Sequence, residues 1–359
     1  MSCSNFIMVS VPGKIHLIGE HTVVYNRPAI IAAIDKRCFV SIKPRNDQKI
    51  EIISKNYDSA SSMSISKLGE KTENARKSWK KFIKTKDVHN LTSITREPLD
   101  YPFLVVGETF KHYSVSLKNG FSLNIDSRIP VGSGCGSSSA IAVAIASVIT
   151  LFLQKPLNKD TILKIAIQAE EFKHGVPSGG DPAAVLYGGL LWFQKVSLNE
   201  RIIKPILAKA EEKIASHFYL IDTGKPEEST GEMIAIVREL KKKDSEEITK
   251  IFDRQENLTN TLLDILQTTD TDSVIDSMKS AEKNLEELGV VSAYVVDIIH
   301  AIEKSGGAAK ISGGGGKTKG AGMILVYHQD KEKLQTTLNG YNLNAIQVTL
   351  GTEGMRQEL

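Results

Sequence analysis

The feature that most constrains this chain is the segment Ile129-Pro130-Val131-Gly132-Ser133-Gly134-Cys135-Gly136-Ser137-Ser138-Ser139, which opens onto an apolar run from Ala140 to Leu153 broken only by Ser147 and Thr150. That run falls short of the ~20 residues that cross a bilayer, so it reads as a buried helix. Ahead of the segment, Phe121, Leu123 and Ile125 alternate as a half-buried strand does. Strand, glycine-serine loop and helix N-terminus in that order make an anion cradle. Glycines let the backbone approach a ligand, and the unpaired N–H groups and positive dipole end of the helix favour negative charge. Phosphate is the natural guest, and the hydroxyls of Ser137, Ser138 and Ser139 can bond its oxygens or ligate Mg2+. The plainer alternative is a tight turn with serine caps. Three glycines followed by three consecutive serines exceed what a cap needs.

Two better-known phosphate patterns fail here. A dinucleotide G-x-G-x-x-G starting at Gly132 or Gly134 needs glycine at 137 or 139, where serine stands. A P-loop ending in Gly316-Lys317-Thr318 needs its first glycine at 311, where the chain has Ile311, and residues 322–327 beyond it are strand-like rather than helical.

Composition narrows the class further. At 359 residues the chain has room for two domains. Its 41% hydrophobic and 24% charged residues are those of a globular protein with a large core. Lys plus Arg exceed Asp plus Glu by only 3, which gives no global case for a nucleic-acid or membrane partner. Cys3, Cys38 and Cys135 are dispersed and form no C-x-x-C pair, which disfavours a disulfide framework and a zinc site and fits a reducing, cytoplasmic setting. The N-terminus lacks the basic and apolar regions of a secretory signal.

Along the chain, Ile7 to Ser10, Lys14 to Ile18, Ala29 to Ile34, Cys38 to Ile42 and Ile50 to Ile53 read as short strands, with a break at Val11-Pro12-Gly13. Residues 55–90 turn polar and then basic through Lys71, Arg76, Lys77, Lys80, Lys81, Lys84 and Lys86. Ala75, Trp79, Phe82 and Ile83 fall on one helical stripe there, which reads as a solvated helix packed on the domain. Helices are expected at Phe103 to His112, Thr161 to Lys173, Gly231 to Lys241, Ser245 to Leu266, Ser273 to Leu288 and Ser292 to Lys304. Strands are expected at Phe218 to Ile221, Ala308 to Ile311 and Met323 to Tyr327. Without regular βαβ alternation the fold class is α+β.

Phosphoryl transfer to an alcohol needs an acceptor for the hydroxyl proton, a cation on the reacting oxygens, oxygen ligands for Mg2+ and a phosphate loop. The residues supply a candidate for each. Asp181, in Pro177-Ser178-Gly179-Gly180-Asp181-Pro182, is the base, and Lys14, in Pro12-Gly13-Lys14, is the cation. Glu170 or Glu171 with Ser138 are the Mg2+ ligands, and Gly132 to Ser139 the cradle.

Three stretches together resemble the galactokinase, homoserine kinase, mevalonate kinase and phosphomevalonate kinase (GHMP) superfamily. They are Val11-Pro12-Gly13-Lys14-Ile15-His16-Leu17-Ile18-Gly19-Glu20-His21, the loop from Pro130 to Ala140, and the glycine-rich turn after Lys310. Within it, Glu20-His21-Thr22-Val23-Val24-Tyr25, Arg27-Pro28-Ala29 and Ala33-Ile34-Asp35 are similar to the mevalonate kinase branch, where a galactokinase would read His-Thr-Asp-Tyr. The block from Glu170 through Asp181 to Gly188-Gly189 resembles that branch's metal-ligand and catalytic segment. The resemblance implies a two-domain fold, with an N-terminal domain like ribosomal protein S5 domain 2 (1–196) and a ferredoxin-like C-terminal domain (197–359). It implies ATP along Gly132, Ser133, Gly134, Cys135, Gly136, Ser137, Ser138 and Ser139, and Mg2+ on Ser138 and Glu170. Mevalonate would be held by Lys14, Glu20, His21 and Asp181, with Thr230 as a further pocket candidate. It also implies a place in isoprenoid precursor biosynthesis and a homodimer. The alternatives are a GHMP kinase of another small alcohol, such as phosphomevalonate or a sugar, and a non-catalytic ATP-binding regulator. The chain departs from the family at Cys135, where leucine is common, and at Ser139, where alanine is common. Its third loop is lengthened and carries Lys317 and Lys319.

Overall fold

The computed structural model describes residues 6–130, 134–197, 200–206 and 212–358. β1 (Ile7–Ile18) and β2 (Pro28–Pro44) form a long antiparallel pair. The break expected at Val11-Pro12-Gly13 does not end the strand. The pairing register shifts there, between Pro12 and Gly13, and again between His16 and Ile18. Proline lacks a donor and glycine tolerates the kink, so the ladder is interrupted while the strand runs on. Ala29 to Ile34 and Cys38 to Ile42 likewise belong to one strand, β2.

β3 (Lys49–Ser54), β4 (Ser59–Ser64), α1 (Ile65–Thr85), α2 (His89–Thr92), α3 (Asp100–Tyr113) and β5 (Phe121–Ser127) follow. Next come α4 (Ser137–Phe152), α5 (Lys159–His174), α6 (Gly180–Tyr187), β6 (Leu190–Lys195), β7 (Arg201–Ile206) and α7 (Glu212–Ala215). The later part runs β8 (Phe218–Asp222), α8 (Thr230–Lys243), α9 (Ser245–Leu266), α10 (Thr271–Glu287), α11 (Ala293–Lys304), β9 (Ala308–Ile311), β10 (Met323–Tyr327), α12 (Lys331–Asn339), β11 (Ile346–Val348) and β12 (Arg356–Glu358).

These strands build two sheets. The larger has the order β12-β1-β2-β5-β3-β4, with β6 paired to the first part of β2 and β7 to β6; the smaller has the order β11-β8-β10-β9. β3 and β5 run parallel, and every other named pair is antiparallel. That is the α+β class. The division expected after residue 196 falls between β6 and β7, which pair with each other.

α4 is buried from Ser139 to Thr150 and packs on β1 and β2, as a run apolar on all sides requires. Each such buried Ile or Val contributes roughly 1.5–3 kcal/mol of transfer free energy. The basic stretch is α1. Its Arg76 is clamped by Glu108 at 2.8 Å and by Glu171, with the guanidinium 4.2 Å from the centre of the Phe172 ring. Trp79 Nε1 donates to the Gly175 carbonyl at 2.7 Å, so this helix is packed down on α5 rather than held free. Among the described residues no helix is long and apolar enough to cross a membrane.

Candidate active site

The three glycine-bearing motifs, far apart in the chain, meet around β1. The Lys14 N–H donates to the Cys135 carbonyl at 3.0 Å, which ties the 134–136 loop to the strand. Gly136 has φ +75°, and a Cβ there would stand 2.7 Å from Lys14 Cγ, so only glycine lets the loop lie against the lysine. On the other side, the turn after β9 reaches β1 and the turn that follows it. The His16 N–H donates to Ser312 Oγ at 3.2 Å, and His21 Nε2 lies 3.0 Å from the Gly314 carbonyl. A carbonyl only accepts, so His21 carries its hydrogen on Nε2. Burial lowers the His21 pKa, against the Gly314 hydrogen bond and the Glu20 charge, which raise it, and His16 lowers it further.

Lys14 is buried, and its Nζ lies 3.0 Å from Asp181 Oδ2. Asp181 enters from the first turn of α6, where the helix dipole favours a carboxylate. Its side chain is 35% exposed against 4% for Lys14, so a ligand hydroxyl can reach the acid while the cation stays shielded. Burial pushes the Asp181 carboxyl up, but the Lys14 charge and the hydrogen bond and charge of His16 overcome it and hold the group well below the usual carboxylate range. His16 Nε2 lies 3.4 Å from Asp181 Oδ1.

At the mouth of α4, Ser138 Oγ donates to Glu170 Oε1 at 3.1 Å and Ser139 Oγ donates to the same oxygen at 2.8 Å. Glu171, the other acid considered for the metal, is taken by Arg76. The cap residue of α4, Gly136, makes no side-chain cap hydrogen bond. Ser138 and Ser139 thus turn their hydroxyls to Glu170 rather than to the helix amides. Gly132 and Ser133 lie outside the described residues, while Gly134 to Ser139 line the turn and the first turn of α4.

Glu20 is buried and pairs with Lys310 Nζ of β9, a partner that the residue types alone did not suggest. Thr230 begins α8 and abuts the third loop, since a Cβ on Gly314 would lie 3.0 Å from its Oγ1. Two contributors have no role assigned from the sequence: His16 and Lys310. A signal for His16 exists, because residues two apart on a strand share a face and it follows Lys14 by two. Lys310 carries no such local signal, and Ser139, expected in the phosphate loop, turns its hydroxyl to Glu170.

The description "GHMP kinases N terminal domain" matches residues 101–189, and "Galactokinase galactose-binding signature" matches residues 2–44. The mevalonate kinase of Archaeoglobus fulgidus is 30% identical over 315 residues, covering 86% of this chain and 89% of the relative. This chain belongs to the mevalonate kinase family. The mevalonate kinase of Thermococcus sibiricus is 29% identical, with 98% of each chain covered. The fold agrees with the Methanococcus jannaschii mevalonate kinase structure at a TM-score of 0.77 and 21% identity, over 98% of this chain and all of that one. For a member of the mevalonate kinase family, the galactokinase signature match falls on β1, which carries Lys14, on β2, and on the turn between them, which carries Glu20 and His21.

Proposed function

We propose that this chain transfers the γ-phosphoryl group of ATP to the 5-hydroxyl of mevalonate, giving 5-phosphomevalonate and ADP. The observation that carries the reading is the Lys14–Asp181 pair, 3.0 Å apart, where the three motifs meet in a chain of this family. In it, the 5-hydroxyl meets the exposed side of the Asp181 carboxylate, next to its contact with Lys14, with Glu20 and His21 lining the pocket. Asp181 is ionised at neutral pH, so it needs no prior deprotonation to orient the hydroxyl and take its proton as the O–P bond forms. Lys14 places a fixed positive charge beside the oxygens that gain negative charge in a largely dissociative transfer. The amides at the start of α4 and the 134–136 turn hold the phosphates.

Ser138 Oγ and Glu170 Oε1 are hard oxygen donors 3.1 Å apart, and Mg2+ takes one or two protein oxygens and completes its shell with phosphate and water. The donor set therefore fits Mg2+, although no group of three or more His, Cys, Asp or Glu converges among the described residues. Held by these two residues, the ion would supply charge neutralisation on the transferring phosphates. The partners in this reading are the two small molecules, in a cytoplasmic setting, and the assembly is the homodimer that the family resemblance implies.

A coupled ADP-release assay with ATP and Mg2+ tests the reading, running mevalonate beside phosphomevalonate, galactose and homoserine, with Asp181→Ala as control. ADP released with mevalonate alone and lost in the variant is the expected result. Release with galactose would replace the substrate and keep the machinery. Against that outcome, the chain reads His21-Thr22-Val23-Val24-Tyr25 where a galactokinase would read His-Thr-Asp-Tyr. Turnover by Asp181→Ala near the parent rate would overturn the assignment of the base.

A further inference from the structure

His16 is the one titratable group at the acid that the reaction above leaves without a role. It follows Lys14 by two residues on β1, so both side chains leave the strand on the same face and both reach Asp181. They hold opposite oxygens of the carboxylate, with Lys14 Nζ 3.0 Å from Oδ2 and His16 Nε2 3.4 Å from Oδ1. The backbone of His16 is itself fixed. Its N–H donates to Ser312 Oγ at 3.2 Å, and that hydroxyl lies 3.4 Å from its carbonyl.

A carboxylate only accepts, so the ring nitrogen facing Asp181 carries the hydrogen. In the neutral ring Nδ1 is then a bare acceptor, and it is buried with no donor among the described residues. The rotation of an aspartate carboxylate about its last bond is broad and roughly two-fold, so one contact does not fix it. With Lys14 alone the group is free to turn both oxygens toward the ammonium. With a second donor on the far oxygen the plane is set, and the remaining lone pairs keep one direction.

We propose that His16 is a positioning residue for phosphoryl transfer: its Nε2–H pins the free oxygen of Asp181 so that the carboxylate presents a fixed lone pair to the substrate hydroxyl. The proposal rests on Asp181 being the base. It assigns His16 to orientation, not to the binding of either substrate.

The test compares His16→Leu, His16→Gln and His16→Asn with the parent and with Asp181→Ala, in steady-state kinetics at saturating Mg2+. Glutamine can place an amide N–H near the position of Nε2, whereas asparagine is too short to reach Asp181. The expected result is a fall in kcat on the order of 10²-fold for His16→Leu and His16→Asn, as a misplaced reacting group costs, with both KM values changed by less than about threefold and His16→Gln within about fivefold of the parent. A kcat for His16→Leu within about twofold of the parent, a glutamine variant as slow as the leucine one, or a loss confined to KM would each overturn the proposal. If His16→Leu fails to fold, the glutamine–asparagine contrast carries the same decision. An active Asp181→Ala would instead sink the base. Independently of turnover, a long-range proton–nitrogen spectrum of the parent enzyme should show the Nε2–H tautomer for His16, and the Nδ1–H tautomer would overturn the assignment.

Discussion

Lys310 Nζ and Glu20 Oε1, on residues 290 positions apart in the chain, form an ion pair whose side chains are 0% and 1% exposed. The ammonium also donates to the Ile311 carbonyl at 2.7 Å. Glu282 of α10 completes the cluster, its Oε2 accepting the Ile311 N–H at 3.0 Å. Burial raises the Glu282 carboxyl well above the ordinary range, against the Ile311 hydrogen bond and the Lys310 charge, which lower it. Two acids therefore face one cation, and the cluster approaches neutrality when Glu282 keeps its proton. The pair supports the neighbour of His21 on one side and the strand that launches the third glycine loop on the other.

Removing the cation leaves a buried carboxylate without its partner. Lys310→Met should destabilise the fold by about 3–5 kcal/mol, the usual cost of breaking a buried pair from one side. Urea unfolding at neutral pH measures this. A loss below about 1 kcal/mol would mean that water reaches Glu20 in solution.

Glu282 sets a pH dependence whose sign follows from the direction of its shift. Its folded value lies above the ordinary 4.5, so the folded chain binds more protons than the unfolded one once pH passes that value. Stability from this group is then lost as pH rises toward the folded value. Glu282→Gln removes the dependence while keeping an acceptor for the Ile311 N–H. The variant should gain on the parent as pH is raised from 5 to 8 in paired unfolding curves, and parallel curves would contradict the assignment.

Asp181→Asn keeps the size of the base and removes its charge. Turnover should drop by about 10²–10⁴-fold, the span of general base catalysis. The dissociation constant for ATP, measured by titration calorimetry, should stay within about threefold of the parent, because the proposed function puts the phosphates against α4 and not α6. An equal loss in nucleotide affinity would place Asp181 in the phosphate site instead.

Gly136→Ala tests the packing of the loop on the strand. The added Cβ would meet Lys14 Cγ at 2.7 Å in a backbone at φ +75°. The left-handed conformation alone costs roughly 1–2 kcal/mol for an L-residue. The variant should show both a lower melting temperature and a lower kcat, since the clash displaces the cation. An unchanged kcat would show that the loop can move off Lys14 without consequence.

Much of the architecture was legible from residue types. The glycine-serine segment feeding an apolar helix and the α+β class rest on local chemistry that the chain states openly, whereas residue types name Lys14, Asp181 and Ser138 only as separate candidates, leave Glu170 and Glu171 equivalent, and do not show that any of them meet. What stayed hidden depends on long-range placement. Val11-Pro12-Gly13 looks like a strand end because proline and glycine usually are, yet β2 continues beside it and carries β1 through the irregularity. The acid Glu171 looks equivalent to Glu170 until Arg76 arrives from α1 to claim it. Lys310 and Glu282 look like ordinary surface charges in a strand and a helix, and nothing short of the packed fold buries them against Glu20.

The third glycine loop touches β1 and the turn after it through contacts that span 296 residues at Ser312 and His16 and 293 at Gly314 and His21. Contacts so distant in sequence carry a large loop-closure cost and form late in folding. Helices and hairpins can be in place well before these two histidines acquire their partners. During refolding, recovery of catalysis should thus trail recovery of helical signal, and the interval between them times the closing of the last loop onto the first strand.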